Sequence, residues 1–275
     1  MRSGRACLAT LLMLGLAACS SEGASSAARP SASADAPGQA VELTIFGAAS
    51  LKGALEQAAA AYETADPGTR LTLSTDSSSA LETQIEQGAA ADVFLSADTT
   101  NPKKLVNAGL ADGAPVAFAA NKLAIIVPSD NPAGIATPAD LAKGGIKVIA
   151  ASDEVPITRY ATQLIANLAR EAGYPADFAE AYATNVASKE DNVKAVVAKI
   201  ELGEGDAGIV YVTDARASTQ VVTIDVPDSA NVPATYEGVV LKASKNAAAA
   251  RAFLDWFAGP EGQAILGGLG FVPPS

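Results

Sequence analysis

The stretch Val41-Glu-Leu-Thr-Ile-Phe-Gly-Ala-Ala-Ser-Leu-Lys-Gly-Ala-Leu-Glu56 decides how the rest of the chain is read. Val41, Leu43 and Ile45 alternate as a half-buried strand does. Gly47 and two alanines then make a turn without bulk. Ser50 stands where a helix N-cap is expected, and the residues to Tyr62 carry apolar side chains at helical spacing. A strand that runs into a helix through small residues leaves backbone N–H groups without partners. These groups and the positive end of the helix dipole face the same way, so the junction suits an anion.

Working outward, strand patterns fall at 71–74, 92–96, 122–127, 147–150, 207–212, 221–224 and 237–241. Helical patterns fall between them. Ser79-Ala-Leu-Glu82 has the form of a capping box opening a helix to about residue 87. Others are expected at 102–108, stopped by Gly109, and at 138–143. Pro156 suits the first turn of a long helix to residue 172 before Gly173, and further helices are expected at 192–202 and 247–257. Alternation of this kind predicts an α/β architecture with mostly parallel sheets. About 235 residues are many for one sheet, so two α/β lobes are expected. Ligands in such folds lie at the carboxyl ends of strands, where helices begin.

Composition removes whole classes of function. The chain of 275 residues has 19 basic and 30 acidic side chains, a net charge of −11, and no histidine. Nucleic acid is not expected as a partner, because its recognition needs a basic footprint. Histidine-based triads and metal sites are ruled out. The only cysteines are Cys7 and Cys19, so the body of the chain has neither a disulfide framework nor a cysteine metal site. No cofactor and no metal cation is expected.

The first residues read as a targeting segment. Arg2 and Arg5 precede a short apolar run, and Leu16-Ala17-Ala18-Cys19 resembles the lipobox of bacterial lipoproteins. Residues 1–18 are then a signal peptide, Cys19 is the lipidation site, and residues 19–40, rich in Ser, Ala, Gly and Pro, are a flexible tether. Cleavage would remove Arg2 and Arg5 and no acid, moving the net charge from −11 to −13. The expected location is the extracytoplasmic face of the cell membrane, held by lipid.

Four more segments repeat the character of the first. Ser77-Ser78-Ser79 precedes a helix, Val155-Pro156-Ile157-Thr158 begins another, and Ser188 to Val193 leads into a third. Tyr211 ends an apolar strand. Taken singly, each has an ordinary structural explanation as a cap, a proline-started helix or a packed tyrosine.

Taken in order, the segments Gly47-Ala-Ala-Ser-Leu51, Ser77-Ser-Ser-Ala-Leu81, Ala91-Asp-Val-Phe-Leu-Ser-Ala-Asp98, Val155-Pro156, Asn192-Val193-Lys194, Gly208-Ile-Val-Tyr211 and Gly259-Pro-Glu-Gly262 resemble the periplasmic molybdate-binding proteins of molybdate ABC transporters. The resemblance covers the chain from Val41 onward. It implies a two-lobed periplasmic-binding-protein fold of type II, with lobe I from residues 41–121 and 225–275 and lobe II from residues 122–224. It also implies a monomer that hands molybdate, and tungstate, to a membrane permease. By position, Ser50 and Ser78 would give hydroxyl and backbone donors, Ile157 and Val193 backbone N–H alone, and Tyr211 its phenol. Two departures bear on the cleft: Ile157-Thr158 stands where the family has small residues, and Asp76 precedes the serines, where it is expected to face solvent or a helix cap.

An acidic protein can hold a dianion if the donors are fixed neutral N–H and O–H groups. Each helix start adds roughly half a positive charge. Donors alone favour a fully deprotonated oxyanion, since nothing accepts a ligand proton. A receptor for sulfate is the alternative within this class. An exported serine hydrolase is the alternative outside it, disfavoured because the chain has no histidine base and no Gly-x-Ser-x-Gly elbow. A Ser–Lys pair using Lys52 or Lys189 stays open on sequence alone.

Overall fold

The computed structural model describes residues 40–274. The proposed signal peptide, Cys19 and most of the tether lie outside the described residues. Two five-stranded sheets carry the fold. In the first half of the chain β1 (Val41–Ala48), α1 (Lys52–Ala65), β2 (Thr69–Asp76), α2 (Ser78–Glu86), β3 (Val93–Ser96), α3 (Thr100–Asn107) and β4 (Val116–Asn121) follow one another. The chain then crosses through Lys122 into β5 (Leu123–Pro128) of the second sheet. There follow β6 (Val148–Ala151), α4 (Pro156–Leu168), α5 (Phe178–Asn185), β7 (Val186–Glu190), α6 (Val193–Glu201), β8 (Ala207–Tyr211), α7 (Val212–Arg216) and β9 (Val221–Ile224). The chain returns through β10 (Ala234–Val240) and ends with α8 (Ala247–Ala258) and α9 (Pro260–Gly268).

The first sheet has the order β2-β1-β3-β10-β4 and the second β7-β6-β8-β5-β9. The sheets are mixed rather than mostly parallel. β1 runs parallel to β2 and β3, whereas β10 is antiparallel to β3 and β4. β6 runs parallel to β7 and β8, whereas β5 is antiparallel to β8 and β9. The reversed strand in each sheet is the first one laid down after a crossing. A strand that enters a sheet directly from the other lobe needs no helical crossover, so nothing compels it to run parallel.

Side-chain alternation fixes which face meets which helix. Leu43 and Ile45 of β1 pack with Leu55 and Ala58 of α1 and with Phe253 and Phe257 of α8. Phe46 and Phe94 point the other way and meet Leu81 and Ile85 of α2 and Leu105 of α3. Gly47 allows the close approach of α1, since a Cβ there would fall on the Leu55 side chain. In the second sheet Ile149 shares the Gly208 face with Val196 and Ile200 of α6, and Ile209 on the opposite face lies beside Ile157 and Ala161 of α4. The carboxyl ends of β1, β2 and β3 therefore face those of β6, β7 and β8 across a cleft, which is where the chain turns into α1, α2, α4 and α6.

Several local expectations are corrected. Ser50 is not a cap: it lies in a 3-10 turn, Ala49–Leu51, and makes no capping bond. The helix expected to be capped by Ser79 is capped by Ser77, whose Oγ accepts the Ala80 N–H at 3.2 Å. Three consecutive serines offer the same chemistry, and the end of β2 at Asp76 selects the first. Ser188 lies within β7, and the cap of α6 is Asn192, which accepts the Ala195 N–H at 3.1 Å. The long helix from Pro156 ends at Leu168, one turn short of the expected end.

Candidate functional site

Ser50, Ser78, Ile157, Val193 and Tyr211 line one cavity, with Ala48, Ala49, Ser77, Ala97, Val155, Pro156 and Asn192. The first sheet supplies Ser50 and Ser78 and the second supplies Ile157, Val193 and Tyr211. The expected positions thus converge in space although they span 162 residues of chain. The cavity is about 10 Å³, close to the roughly 10–15 Å³ that one water needs. No acidic or basic side chain is in its wall.

Ser78 is the first residue of α2, Ile157 the second of α4 and Val193 the first of α6. The first N–H groups of a helix have no intrahelical acceptor. Among the described residues no backbone acceptor meets the N–H of Ser78, Ile157 or Val193. Three helix dipoles therefore end on the same small volume. The Ser78 Oγ accepts the Ala97 N–H at 3.0 Å, which leaves its proton available to a second partner. The Ser50 Oγ lies 2.9 Å from the Tyr236 hydroxyl.

Tyr211 ends β8 and is 1% exposed, and its hydroxyl has no hydrogen-bond partner among the described residues. A buried polar group without a partner costs about 1–3 kcal/mol, so this phenol is held at a cost to the fold. Burial pushes it well above its ordinary range, with the nearby phenols of Tyr236 and Tyr160 and the carboxylate of Asp214 acting in the same direction. It is consequently a neutral donor at any physiological pH. Behind it, Asp214 is fully buried and pairs with Lys194 at 2.8 Å, although neither carboxylate oxygen receives a well-directed hydrogen bond. Burial raises the Asp214 carboxyl, and Lys194 offsets part of that rise.

The two departures noted in the sequence have specific outcomes. Thr158 turns its hydroxyl away from the cavity and donates to the carbonyls of Ala151 and Ser152 at 2.9 and 2.8 Å. Asp76 faces neither open solvent nor a helix cap alone. Its Oδ1 accepts the Ser77 N–H at 2.7 Å and the Asn192 side-chain N–H at 3.0 Å. That second bond joins the lobes across the cleft mouth. A further bridge was not legible in the sequence: Arg159 of α4 reaches Asp98 at 3.0 Å and Thr100 at 2.8 Å. The lysines of the hydrolase alternative do not reach the cavity. Lys189 pairs with Asp153 at 2.6 Å, and Lys52 is exposed.

Residues 43–272 match the family described as bacterial extracellular solute-binding protein. The chain belongs to that family. It is thus an extracytoplasmic binding protein and not an enzyme. Among the described residues of this solute-binding protein, no helix is long and apolar enough to cross a membrane. The molybdate-binding protein ModA of Mycobacterium tuberculosis is 35% identical over 269 residues, which is 97% of this chain and 96% of that one. Among solved structures, the periplasmic molybdate-binding protein of Azotobacter vinelandii aligns with a TM-score of 0.70 and 27% identity, covering 85% of this chain and all of that one. The sulfate-binding protein SubI of Mycobacterium tuberculosis aligns with a TM-score of 0.75 at 20% identity, covering 85% of this chain and 87% of that one, and so supports the fold alone.

Proposed function

We propose that this chain is the substrate-binding component of an ABC importer that takes up molybdate, with tungstate as a second ligand, and passes it to the permease as a monomer. Ser50, Ser78, Ile157, Val193 and Tyr211 are the ligand contacts in this reading. The observation that carries it is the unpartnered, fully buried phenol of Tyr211, held in one wall with serine hydroxyls and free helix-start N–H groups. Every one of these groups can donate, and no charged acceptor is within the wall. Such a site favours a small, fully deprotonated oxyanion. The relatives that bind molybdate support molybdate over other oxyanions.

Calorimetric titration of the chain from Ser20 onward with molybdate, tungstate, sulfate and phosphate tests the proposal. Molybdate and tungstate should bind at one site and sulfate much more weakly, with phosphate weakest because it carries a proton at neutral pH. Tighter binding of sulfate than of molybdate would make the protein a sulfate receptor. The lipid anchor belongs to the same proposal and rests on Leu16-Ala17-Ala18-Cys19. Cys19→Ser should leave the precursor uncleaved or release the protein from the membrane. A correctly processed Cys19→Ser protein that stays on the membrane would rule the anchor out.

A further inference from the structure

Ser50 has a partner that no pattern in the sequence announces. Its Oγ is 2.9 Å from the phenol oxygen of Tyr236, on β10 and 186 residues further along the chain. Tyr236 is fully buried and lies edge-on to Tyr211, with ring centroids 5.7 Å apart. Phe118 and Phe271 hold its ring from other sides at 6.1 and 5.5 Å. Serine and tyrosine each have one hydroxyl proton, and only one of them can lie between the two oxygens. The direction of that bond decides what Ser50 can offer to the cavity.

The chemistry of the two hydroxyls settles the direction. A phenol is a far stronger acid than an aliphatic alcohol, so it is the better donor and the poorer acceptor of the pair. The Tyr236 proton therefore lies between the two oxygens and goes to Ser50. Ser50 then accepts from Tyr236, and among the described residues no side-chain acceptor takes the Ser50 proton in turn. The cavity is where that proton can be used.

We infer that Tyr236 is a positioning residue for the bound anion: it donates to Ser50, turns that serine's proton toward the cavity and strengthens it as a donor. The inference rests on the assignment of Ser50 to the oxyanion site. Donors linked in series, Tyr236 to Ser50 to ligand, polarise one another, and the effect is largest in a low-dielectric interior. The gain scales with the charge on the acceptor. A doubly charged tetrahedral anion therefore depends on the relay more than a singly charged one of the same shape. At the end of β4 the Asn121 side-chain nitrogen donates to the Thr213 hydroxyl at 2.8 Å, two residues beyond Tyr211, and so ties the second lobe to the first.

Tyr236→Phe keeps the ring and removes the relay. Calorimetry with molybdate and with perrhenate, a tetrahedral monoanion of similar shape, is run on the parent, Tyr236→Phe, Ser50→Ala and the double variant. Molybdate affinity should fall about tenfold in Tyr236→Phe and perrhenate affinity only a few-fold. In the Ser50→Ala background, Tyr236→Phe should cost nothing further, because Ser50 transmits the effect. Ser50→Ala alone, which removes the relayed donor itself, should give at least the same loss in the same dianion-over-monoanion order, which keeps the test open if Tyr236→Phe folds poorly. Equal losses for the two anions, or an undiminished loss in the Ser50→Ala background, would make Tyr236 a packing residue and overturn the inference. Tighter molybdate binding by Tyr236→Phe would mean that Ser50 donates to Tyr236, and would overturn it too. A parent that binds no molybdate would instead overturn the proposed function on which the inference stands.

Discussion

Tyr211 and Ser78 face one cavity from opposite lobes, but they stand in different relation to the rest of the fold. Among the described residues the Tyr211 hydroxyl has no hydrogen-bond partner, whereas the Ser78 Oγ also satisfies the Ala97 N–H at 3.0 Å. Removing either donor should weaken molybdate binding by about 1.5–3 kcal/mol, the range for hydrogen bonds to charged groups. Their effects on the ligand-free protein should diverge. Tyr211→Phe deletes a group that is already unsatisfied, so its melting temperature should equal or exceed that of the parent. Ser78→Ala leaves the buried Ala97 N–H without an acceptor and should lose about 1–2 kcal/mol of stability. Parallel calorimetry and thermal melts separate the two. Parental affinity in Tyr211→Phe would leave the ring as packing and remove it from the site. The segments that hold these two positions, Ser50, Ile157 and Val193 left a local trace, a strand end or a helix start, and the family resemblance then picked out the residues within them; the structure brings all five to one cavity. Tyr236, Asn121 and the Asp98–Arg159 pair left none, since bonds between residues 61 to 186 positions apart follow no local period.

Among the elements, the strongly periodic ones were legible, whereas β4, α5, β7 and α9 were not. β4, with the sequence Val-Ala-Phe-Ala-Ala-Asn, is a strand because β10 pairs with it, not because its residues favour one. α9 starts at Pro260 within a segment that the sequence offered only as a motif. The structure gives that motif a reason: a Cβ on Gly262 would fall on the backbone carbonyl of Phe257, so α9 packs on α8 only with glycine there. Gly262→Ala should therefore cost about 1–3 kcal/mol in denaturant melts, as overpacking does. A variant of parental stability would show that α9 can shift at little cost. The short 3-10 turn Pro138–Ala142 carries a pH dependence. Asp140 accepts the N–H groups of Ala136 and Thr137, both at 2.8 Å, and pairs with Lys143 at 2.8 Å. Lys143 first, and then these N–H groups, lower its carboxyl to about 2. The group is lowered on folding, so its contribution is complete above the ordinary carboxylate range. It is lost as pH falls through the folded value, between about pH 4 and pH 2. Asp140→Asn should lower the melting temperature at neutral pH and flatten its decline across that window. An unchanged acid limb would show that the turn contributes nothing to acid stability.

On the scale of the whole molecule, two bridges span the cleft, and neither uses the groups assigned to the ligand. Asn192 bonds to Asp76, and Arg159 bonds to Asp98 and Thr100. Asp98 does not depend on Arg159. It accepts from the Ser96 hydroxyl at 2.9 Å, the N–H groups of Thr100 and Asn101 at 3.1 and 2.9 Å, and the Asn101 side chain at 3.0 Å. Arg159→Gln should then leave the stability of each lobe close to that of the parent and act on closure alone. The Arg159 side chain is 48% exposed, so its bridge should be worth about 1 kcal/mol at most. A ligand that needs both lobes binds with an apparent affinity scaled by the fraction of molecules able to close. The variant should therefore lose a few-fold in affinity for molybdate, tungstate and sulfate alike, with their ratios unchanged. That pattern differs from the Tyr236→Phe pattern, which sorts anions by charge. A cavity near the size of one water cannot admit an oxyanion unless the lobes part, so binding must involve opening and reclosure. Small-angle scattering should show the parent more compact with molybdate than without it. At subsaturating molybdate, Arg159→Gln should show a smaller shift. Identical profiles for parent and variant at every ligand concentration would mean that the Arg159 bridge forms only after closure is complete, and that the donors around Tyr211 close the cleft by themselves.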